Sequence, residues 1–338
     1  MKKILFIQSE FDFNRYLDKK IFTDTNDVEF TGIKYLNKPP EYFTKYTKIF
    51  NCNQSDKLAC SIIEKANSVD IDTFLLMDGI YDWANININP IWSKNNFFLD
   101  LNIYDKVYCV DNHSSLNLNL IGIKTDLYKP PKIFEITSKK ENLKNRFKKT
   151  SRKKILLTTS NTPYFNETEF KRIVKIFLSI IEWSKLNSLD IYYRIYDEKI
   201  LKELKIVNEF NLKEGPIDTY LKEIDVLITT PSSISITAAM LDKPFIHIIY
   251  RDTPIAFQAA WQIFNTEMIP DVLKSALNRD KNRMIHQKSI LPHLETESKK
   301  LNSKKKINKN FQYSKADLFL AIFKAKIKKL YHKLFKYR

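Results

Sequence analysis

The sequence predicts an α/β fold with two parallel-sheet domains in tandem. Its 338 residues exceed the usual size of one small domain. Short apolar runs alternate with helical patterns, which is typical of βαβ units, and the alternation stops at a charged segment and then starts again. The predicted divisions are a first domain at 1–136, a linker at 137–154, a second domain at 155–275 and a basic tail at 276–338.

The first domain begins with a buried-strand pattern, KKILFI, at the very start of the chain. The segment KLACSIIEKANSV has apolar residues at helical spacing, and DTFLLMDG is a strand that ends in Asp78-Gly79. A further strand is predicted at YDKVYCVD. The segment LNLIGIKTDLYKPP then indicates a short helix, a glycine turn and an exit through Pro130-Pro131.

The second domain repeats the alternation after the charged linker. Strands are predicted at KILLTTS, DIYYRIY, DVLITT and PFIHIIY. The segment between the first two is a strong amphipathic helix with Asn166 as its cap, and shorter helices are predicted at DEKILKELKIV, IDTYLKEI and ITAAM. Beyond Trp261 the alternation of strand and helix patterns changes.

Charge and cysteine content limit the cellular setting. The net charge is +17, from 56 Lys and Arg against 39 Asp and Glu. Much of it lies at the carboxyl end, where residues 315–338 predict a basic amphipathic helix suited to an anionic membrane surface; a helix packed on the body with solvated lysines is the alternative. No apolar run is long enough for a signal peptide or a membrane span. Cys52, Cys60 and Cys109 indicate reduced thiols in the cytoplasm.

Two strand-to-helix junctions in the second domain are rich in hydroxyl and amide side chains. The first contains Thr159, Ser160 and Asn161. The second runs from Ile228 to His247, and its polar residues are Thr229, Thr230, Ser232, Ser233, Ser235 and Thr237. Helix capping explains one such junction. Two at equivalent strand ends of a parallel sheet predict an anion site, because ligands bind at that edge and helix N-termini favour negative charge.

The chain around the second junction resembles the carboxyl-terminal domain of GT-B glycosyltransferases, especially bacterial capsule and lipopolysaccharide enzymes. There a strand ends in a Ser-Ser pair, a small-residue helix follows, and a Lys-Pro pair introduces the next strand. The stretch from Tyr104 to Lys132 is similar to the end of a GT-B amino-terminal domain. This resemblance implies two Rossmann-like domains and a nucleotide-sugar donor, with Arg194, Pro216 and Ile217 also placed in the donor site and no metal or other cofactor required.

One group in that family uses CMP-activated acidic sugars of the sialic acid and Kdo type. The chain is similar to it in the Asp78-Gly79 pair and in Ser232-Ser233. It lacks the His-Pro pair that many members carry after a strand of the second domain, and has Arg194 on the matching strand. UDP-, GDP- and dTDP-sugars therefore stay open as donors.

Glycosyl transfer needs a carboxylate that takes the proton of the acceptor hydroxyl or attacks the sugar as a nucleophile. It also needs groups that stabilise the leaving phosphate. Asp78, at a strand end, is the first candidate for this carboxylate, followed by Asp82 and Glu10. An Asp-Gly turn without chemistry is the alternative for Asp78. No metal-ligand spacing is found among the five histidines. Of these, His113 is expected to lie in a loop and His247 in the core.

The sequence thus predicts a metal-independent glycosyltransferase at the inner face of the cytoplasmic membrane of a bacterium. It would transfer a sugar from a nucleotide-sugar donor to a glycan or lipid-linked glycan acceptor of capsule, O-antigen or lipooligosaccharide. One alternative is a sugar-nucleotide epimerase of the same fold, although few acidic residues and histidines are available for proton transfer. Another is a non-catalytic nucleic-acid-binding protein, but the tail aromatics follow helical spacing, so no nucleic-acid partner is expected.

Overall fold

The computed structural model describes residues 2–17, 26–54, 56–90, 101–135, 147, 150–206 and 210–292. Within these ranges the chain forms two sheets in which every strand pair is parallel. The α/β fold with two Rossmann-like parallel-sheet domains is therefore confirmed.

The first sheet has six strands in the order β2-β1-β3-β4-β5-β6. The chain moves to one side of β1 to form β2 and to the other side to form β3, so the carboxyl ends of β1 and β3 flank a crevice of the kind that binds ligands. The strands are β1 (Lys2–Phe6), β2 (Asn26–Glu29), β3 (Lys48–Asn51), β4 (Asp72–Leu76), β5 (Lys106–Cys109) and β6 (Thr125–Leu127).

Five α-helices accompany this sheet in the described residues. They are α1 (Glu10–Tyr16), α2 (Lys57–Asn67), α3 (Trp83–Asn87), α4 (Asn112–Leu120) and α5 (Pro131–Phe134), with 3-10 helices at Gly32–Tyr35, Pro40–Lys45 and Leu101–Ile103. Helix α2 buries its apolar face against the sheet, as its spacing predicts.

The second sheet has five strands in the order β11-β10-β9-β7-β8. They are β7 (Lys154–Thr158), β8 (Asp190–Arg194), β9 (Val226–Thr229), β10 (Phe245–Ile248) and β11 (Trp261–Ile263). Their helices are α6 (Glu167–Leu186), α7 (Glu198–Leu204), α8 (Ile217–Glu223), α9 (Ile234–Met240), α10 (Ile269–Leu277) and α11 (Lys281–Lys288), with a 3-10 helix at Thr266–Met268. Asn166 caps α6 as predicted, because its side chain accepts a hydrogen bond from Glu169 N at 2.9 Å.

Four strands have no counterpart in the prediction: β2, β3, β6 and β11. Each has only three or four residues. Three of them, β2, β6 and β11, are edge strands. Short strands with polar residues leave little alternation to detect, and pairing with a neighbour already in place decides their formation.

The two halves pack directly on one another. One buried apolar cluster contains Phe13 and Val110 from the first half together with Ile236 and Phe257 from the second. Each half also has its own core on the outer side of its sheet. The loop after β4 also contacts the junction after β9, because Ile80 N donates to Ser233 Oγ, so the carboxyl edges of the two sheets face each other.

The part of the predicted tail at residues 276–292 belongs to this folded body. Gln287 is fully buried; its side chain accepts from Phe245 N at 2.9 Å and donates to Lys243 O at 2.8 Å. The carbonyl of Ile290 accepts from Asn112 N at 3.1 Å, which ties the end of the second half to the first. The predicted amphipathic helix at 315–338 and most of the predicted linker lie outside the described residues.

In the part of the chain that the structure describes, no helix has the length and apolar character needed to cross a membrane.

Candidate active site

The two hydroxyl-rich junctions lie side by side at the carboxyl edge of the second sheet. Strands β7 and β9 are neighbours, with Thr158 paired to Thr229 at their ends. One residue further, Thr230 Oγ1 accepts a hydrogen bond from Ser160 N at 2.7 Å. Thr159 and Ser160 are half-buried and Asn161 is exposed. The junctions therefore form one polar surface, as expected for the ends of adjacent parallel strands.

The hydroxyls of the second junction divide into two groups. Thr229, Thr230 and Ser235 are fully buried, and Thr237 is 8 % exposed on α9. Ser235 Oγ lies 2.7 Å from His247 Nε2, so this serine partners a core histidine, as the sequence suggests for His247. Ser232 and Ser233 are half-buried. The pair that the sequence places nearest the phosphate is thus the pair that remains accessible.

Ser233 joins the two halves and does not cap α9. Its side chain makes no capping hydrogen bond; instead Ser233 Oγ accepts from Ile80 N at 3.3 Å. The approach is close, because a Cβ atom added at Gly79 would lie 2.1 Å from Ser233 Oγ. The Asp78-Gly79 loop at the end of β4 thus packs directly on the Ser232-Ser233 junction, and a side chain at 79 would force Ser233 or the loop to shift.

Asp78 is exposed at the carboxyl end of β4, beside a polar cluster built from α1 and α5. Lys132 Nζ lies 3.1 Å from the hydroxyl of Tyr16. The Asp78 carboxylate opposes the lowering of the Lys132 pKa that burial causes. Tyr128 supports the loop from behind, because its hydroxyl donates to the carbonyl of Met77. Asp78 therefore lies exposed at the carboxyl edge of the first sheet, one residue before the contact of Gly79 with Ser233.

Asp82 is held by a cation from the other half. Its carboxylate caps α3 by accepting from Ala84 N at 3.1 Å, and Arg251 lies 3.6 Å away. Arg251 is 8 % exposed and also pairs with Glu169 at 3.0 Å. Burial raises the pKa of Asp82, and the arginine acts against this rise. This ion triad ties Asp82 to the second half in addition to the proton-accepting role predicted for it.

The predicted third carboxylate, Glu10, is exposed in the first turn of α1, directly after β1. That turn is stabilised by a capping box, in which Ser9 Oγ accepts from Asp12 N at 3.2 Å. Glu10 therefore lies at the same edge of the first sheet as Asp78.

Arg194 orders a loop of the second half. Its guanidinium donates to the carbonyls of Leu212 at 2.6 Å, Glu214 at 3.3 Å and Gly215 at 2.9 Å. The loop leads into α8, where Pro216 and Ile217 are half-buried. The predicted cation thus shapes the backbone next to the other predicted donor-site residues. Lys243, by contrast, precedes β10 and so lies at the opposite, amino edge of the sheet, where it donates to two carbonyls.

The cleft between the halves is lined by three segments. The loop after β4 contributes Ile80, Tyr81 and Asp82, the junction after β9 contributes Pro231, and the third segment lies between Ile248 and Phe257. Its surface is mainly apolar apart from Asp82, Arg251 and Thr253. The sequence prediction missed Arg251, although an Arg-Asp pair directly after a buried strand is a signal that could have found it. Within the described ranges, no three His, Cys, Asp or Glu side chains are grouped so as to hold a metal ion.

Comparison with known proteins identifies the fold. No protein-family model and no curated protein matches the chain. Solved structures do match over 86 % of it. They include S. aureus MnaA with UDP (14 % identity, TM-score 0.56, 91 % of that chain covered). A second is the UDP-GlcNAc 2-epimerase from Neisseria meningitidis bound to UDP-GlcNAc (14 % identity, TM-score 0.57, 95 % of that chain covered). A third is the UDP-GlcNAc 2-epimerase from Methanocaldococcus jannaschii in complex with UDP-GlcNAc and UDP (16 % identity, TM-score 0.55, 97 % of that chain covered). At these identities the likeness establishes the GT-B-like fold.

Proposed function

We propose that this protein is an enzyme that binds a nucleotide sugar in the cleft between its two halves. The observation that carries the proposal is the meeting of three predicted elements: the Thr159-Ser160 turn, the Ser232-Ser233 turn and the Asp78-Gly79 loop. The first two present hydroxyl and backbone donors suited to a diphosphate. The third would supply the Asp78 carboxylate to the sugar.

UDP is the proposed nucleotide. The similar structures described above were determined with UDP or UDP-GlcNAc, whereas the sequence favours a CMP-sugar through the Asp78-Gly79 and Ser232-Ser233 pairs. In the present arrangement Ser233 Oγ is bound to Ile80 N–H across the cleft. The O–H of Ser233 can donate to a phosphate oxygen while its Oγ accepts from Ile80 N–H, so a phosphate can bind at this junction with the two loops in contact.

Epimerisation of a UDP-linked sugar is the first candidate reaction, because the epimerases share the fold over most of the chain. Inverting a carbon centre breaks a C–H bond and remakes it on the opposite face. This requires groups that remove and return a proton. Asp78 is the proposed base, since it is exposed at the edge of the cleft.

Glycosyl transfer, which the sequence predicts, is the second candidate. One observation favours it: of the two aspartates at the end of β4, Asp82 is paired with Arg251, which leaves Asp78 to act as a single base. One base is sufficient to deprotonate an acceptor hydroxyl. In this case the acceptor would be a surface glycan or a lipid-linked glycan, and residues 315–338 would hold the enzyme at an anionic membrane.

The test has two stages. Thermal unfolding is first measured with UDP, CMP, GDP and dTDP, because a ligand that binds only the folded state raises the midpoint. The full-length protein is then incubated with UDP-GlcNAc in D2O and followed by NMR. A new epimer that carries deuterium at the inverted carbon supports epimerisation; binding of UDP-GlcNAc without deuterium incorporation favours transfer. Absence of a shift with all four nucleotides would contradict the proposal.

Variants of β4 provide the matched control. Asp78→Asn should abolish turnover and retain UDP binding. Asp72→Asn, at the exposed amino end of the same strand, should retain both. Full turnover by Asp78→Asn would remove this residue from the mechanism.

A further inference from the structure

Lys132 and Tyr16 form a titratable pair that the predictions do not include. Lys132 lies on α5, and its Nζ is 3.1 Å from the Tyr16 hydroxyl at the end of α1. The ammonium also lies over the Tyr16 ring, 4.3 Å from its centroid. Lys132 is only half-buried, so it is held by its neighbours and remains within reach of a small molecule.

The pair lies between the two halves of the candidate site. Helix α5 packs on α1 of the first half and on α9 of the second, which is the helix that follows Ser232-Ser233. The charge of Asp78 raises the pKa of Tyr16 and opposes the lowering of the Lys132 pKa. Because α5 packs on the helix that follows Ser232-Ser233, a sugar bound between Asp78 and that junction would lie on the side of the site where Lys132 is held by Tyr16.

The surroundings favour proton transfer by this lysine. Burial is the main cause that lowers the pKa of Lys132, and Arg15 adds to it, whereas Asp78 and Cys52 oppose it. Burial raises the pKa of Tyr16, so its hydroxyl stays protonated. The titratable groups that act on the pair are Asp12, Arg15, Cys52, Asp78 and Tyr128. The amine thus exchanges a proton more readily than a surface lysine does.

We propose that Lys132, oriented by Tyr16, is the second catalytic acid–base group of the cleft and works with Asp78 on the sugar of a UDP-linked substrate. The inference rests on the proposed function of the same site. The sequence offers few acidic residues and histidines for proton transfer, which is an argument against an epimerase. A lysine amine as the second proton carrier removes this objection.

The proton balance is complete without another reactant. The Asp78 carboxylate accepts the proton of the C–H bond next to the anomeric carbon while the bond from the anomeric carbon to UDP breaks, so the electron pair forms a C=C bond and UDP is the leaving group. When UDP returns to the anomeric carbon, this electron pair takes a proton from the Lys132 ammonium at the other face of the neighbouring carbon. Asp78 is then a carboxylic acid and Lys132 a neutral amine, and exchange with water restores both. In the reverse reaction the two groups exchange roles.

The first experiment tests contact with the ligand independently of turnover. The full-length protein is acetylated with limiting acetic anhydride, and the modification of each lysine is followed by mass spectrometry with and without UDP-GlcNAc. Binding of UDP-GlcNAc is measured separately by calorimetry. Lys132 should react faster than Lys129, an exposed lysine three residues earlier, and saturating UDP-GlcNAc should slow its reaction at least fivefold while Lys129 is unaffected.

The second experiment tests the chemical role. Lys132→Arg keeps the charge but does not release its proton, so it should bind UDP-GlcNAc within about twofold and lose about 100-fold or more of turnover, the usual contribution of an acid–base group. The limb of the pH–rate profile that reports the lysine should disappear. Lys129→Arg should behave as wild type, and Tyr16→Phe should shift that limb.

The two proposals fail in different ways. If UDP-GlcNAc binds but does not protect Lys132, or if Lys132→Arg turns over normally with an unchanged pH profile, the role of Lys132 is wrong and the proposed function stands. If calorimetry detects no binding of UDP-GlcNAc to the wild-type protein, the proposed UDP-sugar function is wrong, and the inference fails with it.

Discussion

The contact between Gly79 and Ser233 can be tested with a double-mutant cycle. An alanine at 79 would place its Cβ 2.1 Å from Ser233 Oγ, and real Cβ atoms essentially never come within 3.0 Å of another atom. The serine must therefore rotate, or the two loops must move apart. Rotation gives up the hydrogen bond from Ile80 N, which is worth about 1 kcal/mol; separation of packed loops costs about 1–3 kcal/mol.

The cycle separates this clash from other effects of the added methyl group. Ser233→Ala alone removes the hydrogen bond and should cost about 1 kcal/mol. In that background the nearest remaining atom to the new Cβ is Cβ of residue 233, at 3.4 Å. This is ordinary contact, so Gly79→Ala should then cost little. The double variant should thus be about as stable as Ser233→Ala.

The assay is urea unfolding of the wild type, the two single variants and the double variant, followed by tryptophan fluorescence. The expected coupling energy is about 1 kcal/mol or more, which is above the usual error for non-interacting sites. If the two single costs simply add, the Gly79 loop does not pack on Ser233, and the closed cleft described above is wrong.

Three further variants test other contacts of the site. Arg251→Met leaves two carboxylates without their shared cation and should lower the free energy of unfolding in urea by about 3–5 kcal/mol. The control Lys199→Met, at an exposed ion pair, should hardly move the urea midpoint. Equal effects of the two variants would contradict the triad. Burial lowers the pKa of His247 to about 3, so the folded state resists protonation. Relative to His247→Asn, wild type should lose about 1.4 kcal/mol per pH unit below pH 6.5, and a constant difference would disprove this. Thr230→Val removes the acceptor of the Ser160 N–H bond and should raise the Kd for UDP about fivefold; calorimetry showing an unchanged Kd would exclude this role.

Most of the sheet architecture could be predicted from local patterns. The segments DTFLLMDG and DVLITT are continuous apolar runs bounded by polar residues, and such runs form the buried strands β4 and β9. The amphipathic helix α6 carries both its apolar spacing and its cap in the sequence. The short edge strands β2, β6 and β11 could not be predicted in this way, because their formation depends on the neighbouring strand.

The candidate site was predictable only in part. Residues at the ends of parallel strands share one edge of a sheet, so the closeness of Ser160 and Thr230 follows from their positions in the chain. The contribution of Arg251 and Lys132 to the site does not follow from their positions in the chain. Both lie in connections whose local sequence resembles an ordinary loop exit, and their importance comes from partners more than 80 residues away, as in the Lys132–Tyr16 and Arg251–Glu169 contacts.

Local sequence thus specifies the two α/β halves, their longer strands and the hydroxyl-rich junctions, because these features depend on periodicity and on which residues follow each strand. The packing of one half on the other specifies the rest. It brings Gly79 against Ser233, pairs Asp82 with Arg251 and joins Ile290 to Asn112. No local pattern encodes these contacts, since each depends on the relative position of two separately formed sheets.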